Sequence, residues 1–330
     1  MNYRQLGRTG LQVSEIGFGA WAIGGAAFGN SYGPTDDAAS LAAIRRALAL
    51  GCTFFDTADV YGHGHSEELL GAALRAAHAR DQVVIATKVG ANFYNRDIDP
   101  ALAARLAAYL GRPLTDFAPA AVLPVTHSRN FSPHYLRFAC EQSLRRLRSE
   151  VIDLYQLHNP DLALLAQGEV WQTLADLKQA GKIRFVGISI HQPLEGMAAL
   201  ASGQVDAIQV VYNLLDQEAA AQLFPAAQRA GVAIIAREPL ANGFLTGKYQ
   251  PDAHFAPGDV RAAWPASVVA ARVRAAQALA AELTRPGVTL AQAALRFALA
   301  HPAVCTVIPG AKTPAQVEQN LAATAPTPPP

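Results

Sequence analysis

Cysteine is scarce in this 330-residue chain: Cys52, Cys140 and Cys305 are odd in number and far apart. That excludes a disulfide framework and a zinc site of the usual ligand spacing, so the three read as reduced core thiols. Net charge is equally thin. Lys and Arg number 27 against 26 Asp and Glu, +1 overall, which leaves no broad basic field to hold nucleic acid. No apolar run approaches the ~18 residues of a membrane span. MNYRQLGRTG also lacks the basic-then-apolar order of a signal peptide. The expectation is a cytoplasmic protein with neither a nucleic-acid nor a membrane partner. Only 16% of residues are charged against 51% hydrophobic, enough for a large core. Disorder is expected only at the ends, where APTPPP (325–330) cannot make regular backbone hydrogen bonds.

What is present is an alternation of short β-branched or aromatic runs with longer Ala/Leu-rich segments of helical spacing. Eight strand-then-helix units can be counted. The strands fall near Ile16–Gly19, Thr53–Phe55, Val83–Thr87, Ile152–Leu157, Arg184–Ser189, Ala207–Val211, Val232–Ala236 and Val304–Ile308. The helices fall near Asp37–Leu50, Ser66–Ala79, Pro133–Leu147, Glu169–Ala180, Leu194–Ala201, Glu218–Ala230, Ser267–Leu283 with Leu290–Ala300, and Pro314–Ala323. Gly51, Gly181 and Gly231 sit where helix C-caps are wanted, and Ser132-Pro133 reads as an N-cap followed by proline in the first turn. Strands joined by helices run parallel, and eight units close most simply into a (β/α)8 TIM barrel, with a doubly wound sheet as the second choice. α/β barrels of this length occur as one domain, so residues 1–330 read as a single domain. Ahead of the first unit, alternation around Gly7 and Gly10 predicts a β-hairpin cap on the barrel bottom. Two connections are long, Val89–Asn130 (42 residues) after the third strand and Arg237–Pro265 after the seventh. Long loops in a compact domain are usually functional or mobile. Within the first, DPALAARLAAYLG has helical spacing.

Three motifs are set aside. Gly17, Gly19 and Ala22 fit a dinucleotide-binding pattern, but a glycine- and proline-rich loop follows where that fingerprint needs a helix N-terminus. Gly243, Gly247 and Lys248 evoke a phosphate-binding loop, with too few residues between the glycines and Tyr249 where Ser or Thr must bind magnesium. His63 and His65 share a glycine-rich loop with no third ligand nearby, so no metal site is expected.

In a barrel, catalytic groups collect where strands end and enter their following loops. TFFD ends with Asp56, Tyr61 follows in the same loop, VVIATK ends with Lys88 and LYQLH ends with His158. Charges abutting buried strands need mutual pairing. A phenol of pKa about 10 is a weak acid for protonating an alkoxide unless a cation lowers that pKa. Lys88 supplies the cation, and a lowering of ~2–3 units, roughly 3–4 kcal/mol, is within its electrostatic reach. Asp56 would orient Lys88 and keep it charged, while His158 would donate to the substrate oxygen from the other side. The group suits carbonyl reduction. Taken singly, each also has a bland reading as an ion pair, a loop aromatic or a barrel histidine.

The runs TFFDTADVYGHGHSEELLG, ATK, VIDLYQLHNPD, GKIRFVGIS and VIPGAKTPAQVEQN together resemble the aldo-keto reductase superfamily nearly end to end. The resemblance implies a (β/α)8 barrel of NAD(P)(H)-dependent oxidoreductases that interconvert an aldehyde, ketone or sugar lactol with an alcohol. It implies a catalytic tetrad of Asp56, Tyr61, Lys88 and His158, with Tyr61 as general acid and base. Ser189 and Gln209 match positions that bind the nicotinamide carboxamide, whereas the frequent Asn after the serine is Ile190 here. Arg237 stands at the usual ring-stacking aromatic. Pro239, Leu240, Gly243, Leu245, Gly247 and Lys248 resemble the loop over the pyrophosphate, and Gly310, Lys312, Gln316, Gln319 and Asn320 the adenosine side. Gln316 replaces a frequent arginine, and Gln319 a frequent acid. Lys248, Arg261 and Lys312 are cations available to a 2′-phosphate, so NADP(H) is favoured over NAD(H). Trp21, counted with the cofactor set, should overlook the pocket mouth with Phe28, Tyr32 and Ala91–Asn95. Arg96, Arg112, His127 and Arg129 on the long loop could meet a carboxylate or phosphate. A small carbonyl or hydroxyl compound is the expected partner; its identity and the oligomeric state are not readable. Two other classes compete: a cofactor-binding sensor resembling potassium-channel β subunits, and a barrel lyase using Lys88 as a Schiff-base nucleophile.

Overall fold

The computed structural model describes residues 1–26, 31–93 and 129–324. Phe28, Asn95, Arg96, Arg112, His127, the helical pattern at 99–111 and the tail 325–330 lie outside them. Strands β1 (Tyr3–Gln5) and β2 (Gln12–Ser14) form an antiparallel hairpin, with Tyr3 opposite Ser14. Eight parallel strands follow in sequence order around one sheet. They are β3 (Phe18–Gly19), β4 (Phe54–Asp56), β5 (Val84–Val89), β6 (Ile152–His158), β7 (Ile183–Ser189), β8 (Ala207–Val211), β9 (Ala233–Arg237) and β10 (Val304–Val307). The sheet closes on itself. The Gly17 amide donates to the Val307 carbonyl at 2.8 Å, Gly19 to Pro309 at 3.0 Å, and Val307 back to Glu15 at 2.9 Å.

The glycines set aside as a dinucleotide motif have a packing role at this seam. A Cβ at Gly17 would lie 2.9 Å from the Phe54 carbonyl oxygen, and one at Gly19 only 2.5 Å from that of Ile308. The segment directly after them, Ala20–Ile23, is a short 3-10 turn and not an α-helix.

Helix ends follow the local signals. Ser132 accepts from the Tyr135 amide at the start of Pro133–Leu147, and Gly231 ends Leu223–Ala230 in the left-handed region. The predicted helix Glu218–Ala230 is divided, a 3-10 turn at Glu218–Ala220 preceding Leu223–Ala230. Pro225 explains the late start, because proline has no N–H to donate and is tolerated only in a first turn. The long connection after β9 carries 3-10 turns at Ala241–Thr246 and Val260–Ala263.

Strand periodicity of two divides the barrel interior into layers. At the bottom, Phe54, Val84, Ala86, Leu154, Ala207, Ala233, Ile235 and Ile308 form an apolar cluster sealed by Leu6 and Val13 of the hairpin. One step up the same inward rows come Asp56, Lys88, Gln156 and Gln209, joined by hydrogen bonds. The dry plug beneath gives those polar groups no partner below, so they must satisfy one another. Leu6 is fully buried, and Leu6→Ala should cost about 2–5 kcal/mol of unfolding free energy. Urea denaturation measures it; a loss under about 1 kcal/mol would mean that the hairpin does not act as a plug.

Candidate active site

Asp56 terminates β4, Lys88 lies one residue from the end of β5, and His158 terminates β6. Tyr61 reaches the same place from the loop after β4. That loop is fastened at several points. Thr57 donates its amide to Ala86, Asp59 to Lys88, and Ser66 both to the Tyr61 carbonyl and, through its hydroxyl, to Ala20. Gly62 is indispensable there: φ is +60°, and a Cβ would fall 1.9 Å from the Gly24 carbonyl oxygen.

The three donors of the Lys88 ammonium are all used. They reach Asp56 Oδ1 at 2.6 Å, the Thr57 carbonyl at 2.8 Å and Tyr61 Oη at 3.1 Å. Burial, the largest influence on Lys88, works to lower its pKa, but Asp56 and Tyr61 together outweigh it and hold the ammonium above its ordinary value. A Schiff-base lysine must be neutral to attack, so this environment opposes the lyase reading. Tyr61 departs from expectation. Its pKa is raised, because burial exceeds the downward pull of Lys88 and the Asp56 charge adds to the rise. His158 stands edge-on to Tyr61, ring centroids 6.0 Å apart. Burial, with Lys88, Arg129, Arg237 and His191 nearby, holds His158 well below the usual histidine range. It is a neutral imidazole, able to donate a hydrogen bond without carrying charge. Trp21 stacks on Tyr61 at 5.9 Å and meets Tyr32 at 4.7 Å, forming one aromatic wall.

The residues expected on the cofactor side divide into two groups. Ser189 and Gln209 are paired neighbours on β7 and β8, and the Ser189 hydroxyl donates to Gln209 Oε1 at 3.3 Å. Arg237 is held at several points: it donates to the Ile190 carbonyl at 3.3 and 3.1 Å, contacts His191 Nδ1 at 3.1 Å and pairs with Glu238. Ile190 itself is wholly buried and offers only backbone at this point. Pro239, Leu240, Gly243 and Leu245 shape the loop, while Gly247 and Lys248 are exposed on it. Arg261 and Lys312 are engaged elsewhere. Arg261 grips Asp259 at 2.6 and 2.9 Å, donates to Asn242 and Tyr249, and lies over Tyr32 and Phe255. The Lys312 ammonium donates to the carbonyls of Tyr32 and Pro34 at 2.7 and 3.0 Å. In the C-terminal motif, Gln316 accepts from the Lys312 amide and Asn320 donates to the Gly310 carbonyl, whereas Gln319 is exposed.

His65 bonds Asp37 at 2.9 Å and His63 stacks on Phe93. Among the described residues no group of three or more His, Cys, Asp or Glu is placed to hold a metal, and no helix is long and apolar enough to cross a membrane.

Two residues absent from the sequence-derived set belong here. Gln156 bonds Asp56, and its signal was available: it is polar at an inward position, two before His158. Asp59 is fully buried, and among the described residues neither carboxyl oxygen has a side-chain hydrogen-bond partner.

A sequence model of the aldo/keto reductase family matches residues 15–327. Aldo-keto reductase YhdN of Bacillus subtilis is 31% identical over 96% of this chain and 87% of its own length. The NADH-specific methylglyoxal reductase of Escherichia coli is 30% identical over 96% of this chain and 92% of its own. Among solved structures, the holo form of aldo-keto reductase AKR11C1 from Bacillus halodurans superposes with a TM-score of 0.75 at 29% identity, covering 99% of this chain and 92% of that one.

Asp59 generates a prediction. Burial, then the Glu67 charge, raises its pKa well above the usual carboxylate value, against the weaker opposing pull of Arg146. The native state therefore holds a proton that the unfolded chain releases near pH ~4, so this contribution to stability is whole below that pH and declines as pH rises toward the folded pKa. Asp59→Asn keeps the shape and removes the ionisation. Its urea midpoint should gain on wild type progressively from mildly acid to neutral pH; a pH-independent difference would show that Asp59 is charged in the native state.

Proposed function

The chain belongs to the aldo/keto reductase family, and from that footing we propose that it interconverts a small aldehyde, ketone or sugar lactol with its alcohol, using NADP(H). The observation that carries this is the Lys88 ammonium locked between Asp56 Oδ1 and Tyr61 Oη. A bound nicotinamide supplies or accepts the hydride. The donor set fits such a group: a hydroxyl and an amide at Ser189 and Gln209, a flat guanidinium at Arg237, and an exposed cation and bare backbone at Gly243–Lys248.

In reduction, Tyr61 Oη passes its proton to the carbonyl oxygen while Lys88 stabilises the phenolate left behind. Neutral His158 donates to the same oxygen from the facing side and fixes its direction. In oxidation the phenolate takes the proton back. Trp21, Tyr32 and Tyr61 make an apolar wall that suits a small organic carbonyl. The raised Tyr61 pKa keeps the phenol protonated through the neutral range, so the acid form is present, and the Lys88 contact offsets the added cost of releasing its proton.

Preference for NADP(H) rests chiefly on Lys248, since Arg261 and Lys312 already bind Asp259 and the 32–34 backbone. The sensor reading makes the same use of the cofactor but requires slow turnover. Fluorescence titration with NADPH and NADH, beside a panel of methylglyoxal, simple aldehydes and aldoses, separates these readings. The expected result is tighter NADPH binding, weakened about tenfold relative to NADH in Lys248→Ala, and turnover that falls by at least ~100-fold in Tyr61→Phe with cofactor binding retained. Cofactor binding without turnover of any panel member would favour the sensor; no binding of either cofactor would remove the reading altogether.

A further inference from the structure

The Asp56 carboxylate is 2% exposed and sits directly above the apolar plug. Its Oδ1 serves Lys88. Its Oδ2 would be stranded without two carboxamides: Gln209 Nε2 donates at 2.7 Å and Gln156 Nε2 at 3.2 Å, while Gln209 also donates to Gln156 Oε1 at 3.3 Å. The two amides differ in what else they touch. Gln209 is shared with Ser189, on the side proposed above for the nicotinamide, whereas Gln156 is fully buried and, among the described residues, its side-chain hydrogen bonds run only to Asp56 and Gln209. Room for it is made by Gly187 on the neighbouring strand, where a Cβ would lie 3.0 Å from Gln156 Cγ.

We propose that Gln156 is a positioning residue for the Asp56–Lys88–Tyr61 relay, holding Asp56 so that one oxygen faces Lys88 and the ammonium stays on Tyr61. Without the Gln156 amide, Oδ2 loses one of its two donors in a layer that is buried from solvent. The carboxylate then turns both oxygens toward its nearest cation and draws Nζ away from Tyr61. The phenolate loses its stabilising partner, and the Tyr61 pKa rises further. When a cofactor engages Gln209, Gln156 remains as the donor that keeps Asp56 in place.

The proposal rests on the reading of Tyr61 as the acid, but its test does not require turnover. Tyrosine labelled at the phenol carbon gives an NMR resonance whose shift reports ionisation, and loss of one signal in Tyr61→Phe assigns it. Gln156→Met keeps the length and removes the donor. The expected result is a Tyr61 ionisation midpoint about one pH unit above wild type, the size of a tenfold change, with the fold retained, some thermal stability lost and NADPH affinity little altered. Gln156→Glu, which puts an acceptor where the donor was, should displace the midpoint in the same direction. Where the panel provides a substrate, kcat should fall about threefold in Gln156→Met, part of the full pKa change as expected for general-acid catalysis, with KM unchanged. A midpoint that stays at the wild-type value in either folded variant overturns the proposal. Absence of turnover in the wild type, by contrast, would overturn the enzymatic reading and leave the NMR result standing.

Discussion

The contact between Asp56 and Lys88, 2.6 Å long and nearly inaccessible to water, is the constraint to which the rest of the molecule is fitted. Two opposite charges inside a barrel are tolerated only when every remaining donor and acceptor is met. Lys88 meets this with Thr57 and Tyr61, and Asp56 with Gln156 and Gln209. A phenol thus becomes part of the solution to an electrostatic problem, and its chemical use follows. The desolvation that strengthens the ion pair also raises the Tyr61 pKa, so the phenol stays protonated at neutral pH and depends on Lys88 to stabilise the phenolate as the proton leaves.

The surroundings carry two further structural tasks. Below, the hairpin and the inward apolar rows keep water from the relay. Above, the segment at 31–34 is tied across the barrel mouth: Val260 donates to the Ser31 carbonyl, Tyr32 Oη donates to Asn242, and Lys312 donates to the carbonyls of 32 and 34. Arg261, Asp259 and Tyr249 brace the far end of the same tie. Cations that look available on charge alone are here paired with neighbouring groups that link the segments around the cleft.

Much of this was legible in the chain. The eight strands, the parallel order and the hairpin followed from periodicity and punctuation, because inward rows and helix caps are local properties. The grouping of Asp56, Tyr61, Lys88 and His158 was legible because all four lie at or just beyond the ends of adjacent strands, which spacing reveals. What could not be read was burial. The sign of the Tyr61 shift turns on desolvation exceeding the attraction of Lys88, and desolvation belongs to the whole barrel. Arg261 and Lys312 were read as free because their partners, Asn242, Tyr249 and the 32–34 carbonyls, arrive from distant segments. Asp259, two residues from Arg261, was the local signal that this charge was already met. Gln156 stood on the inward row of β6, but a polar residue there gains meaning only once Asp56 is seen to need a donor.

The central claim is that Lys88 and Tyr61 act as one unit, and a double-mutant cycle on hydride transfer tests it most directly. Single-turnover rates would be measured for wild type, Lys88→Met, Tyr61→Phe and the double variant, with cofactor saturating. The account predicts strong non-additivity, the double variant being about as slow as the slower single one, as for residues that share one function. Rate losses that simply multiply would show that Lys88 and Tyr61 contribute independently, and would contradict it.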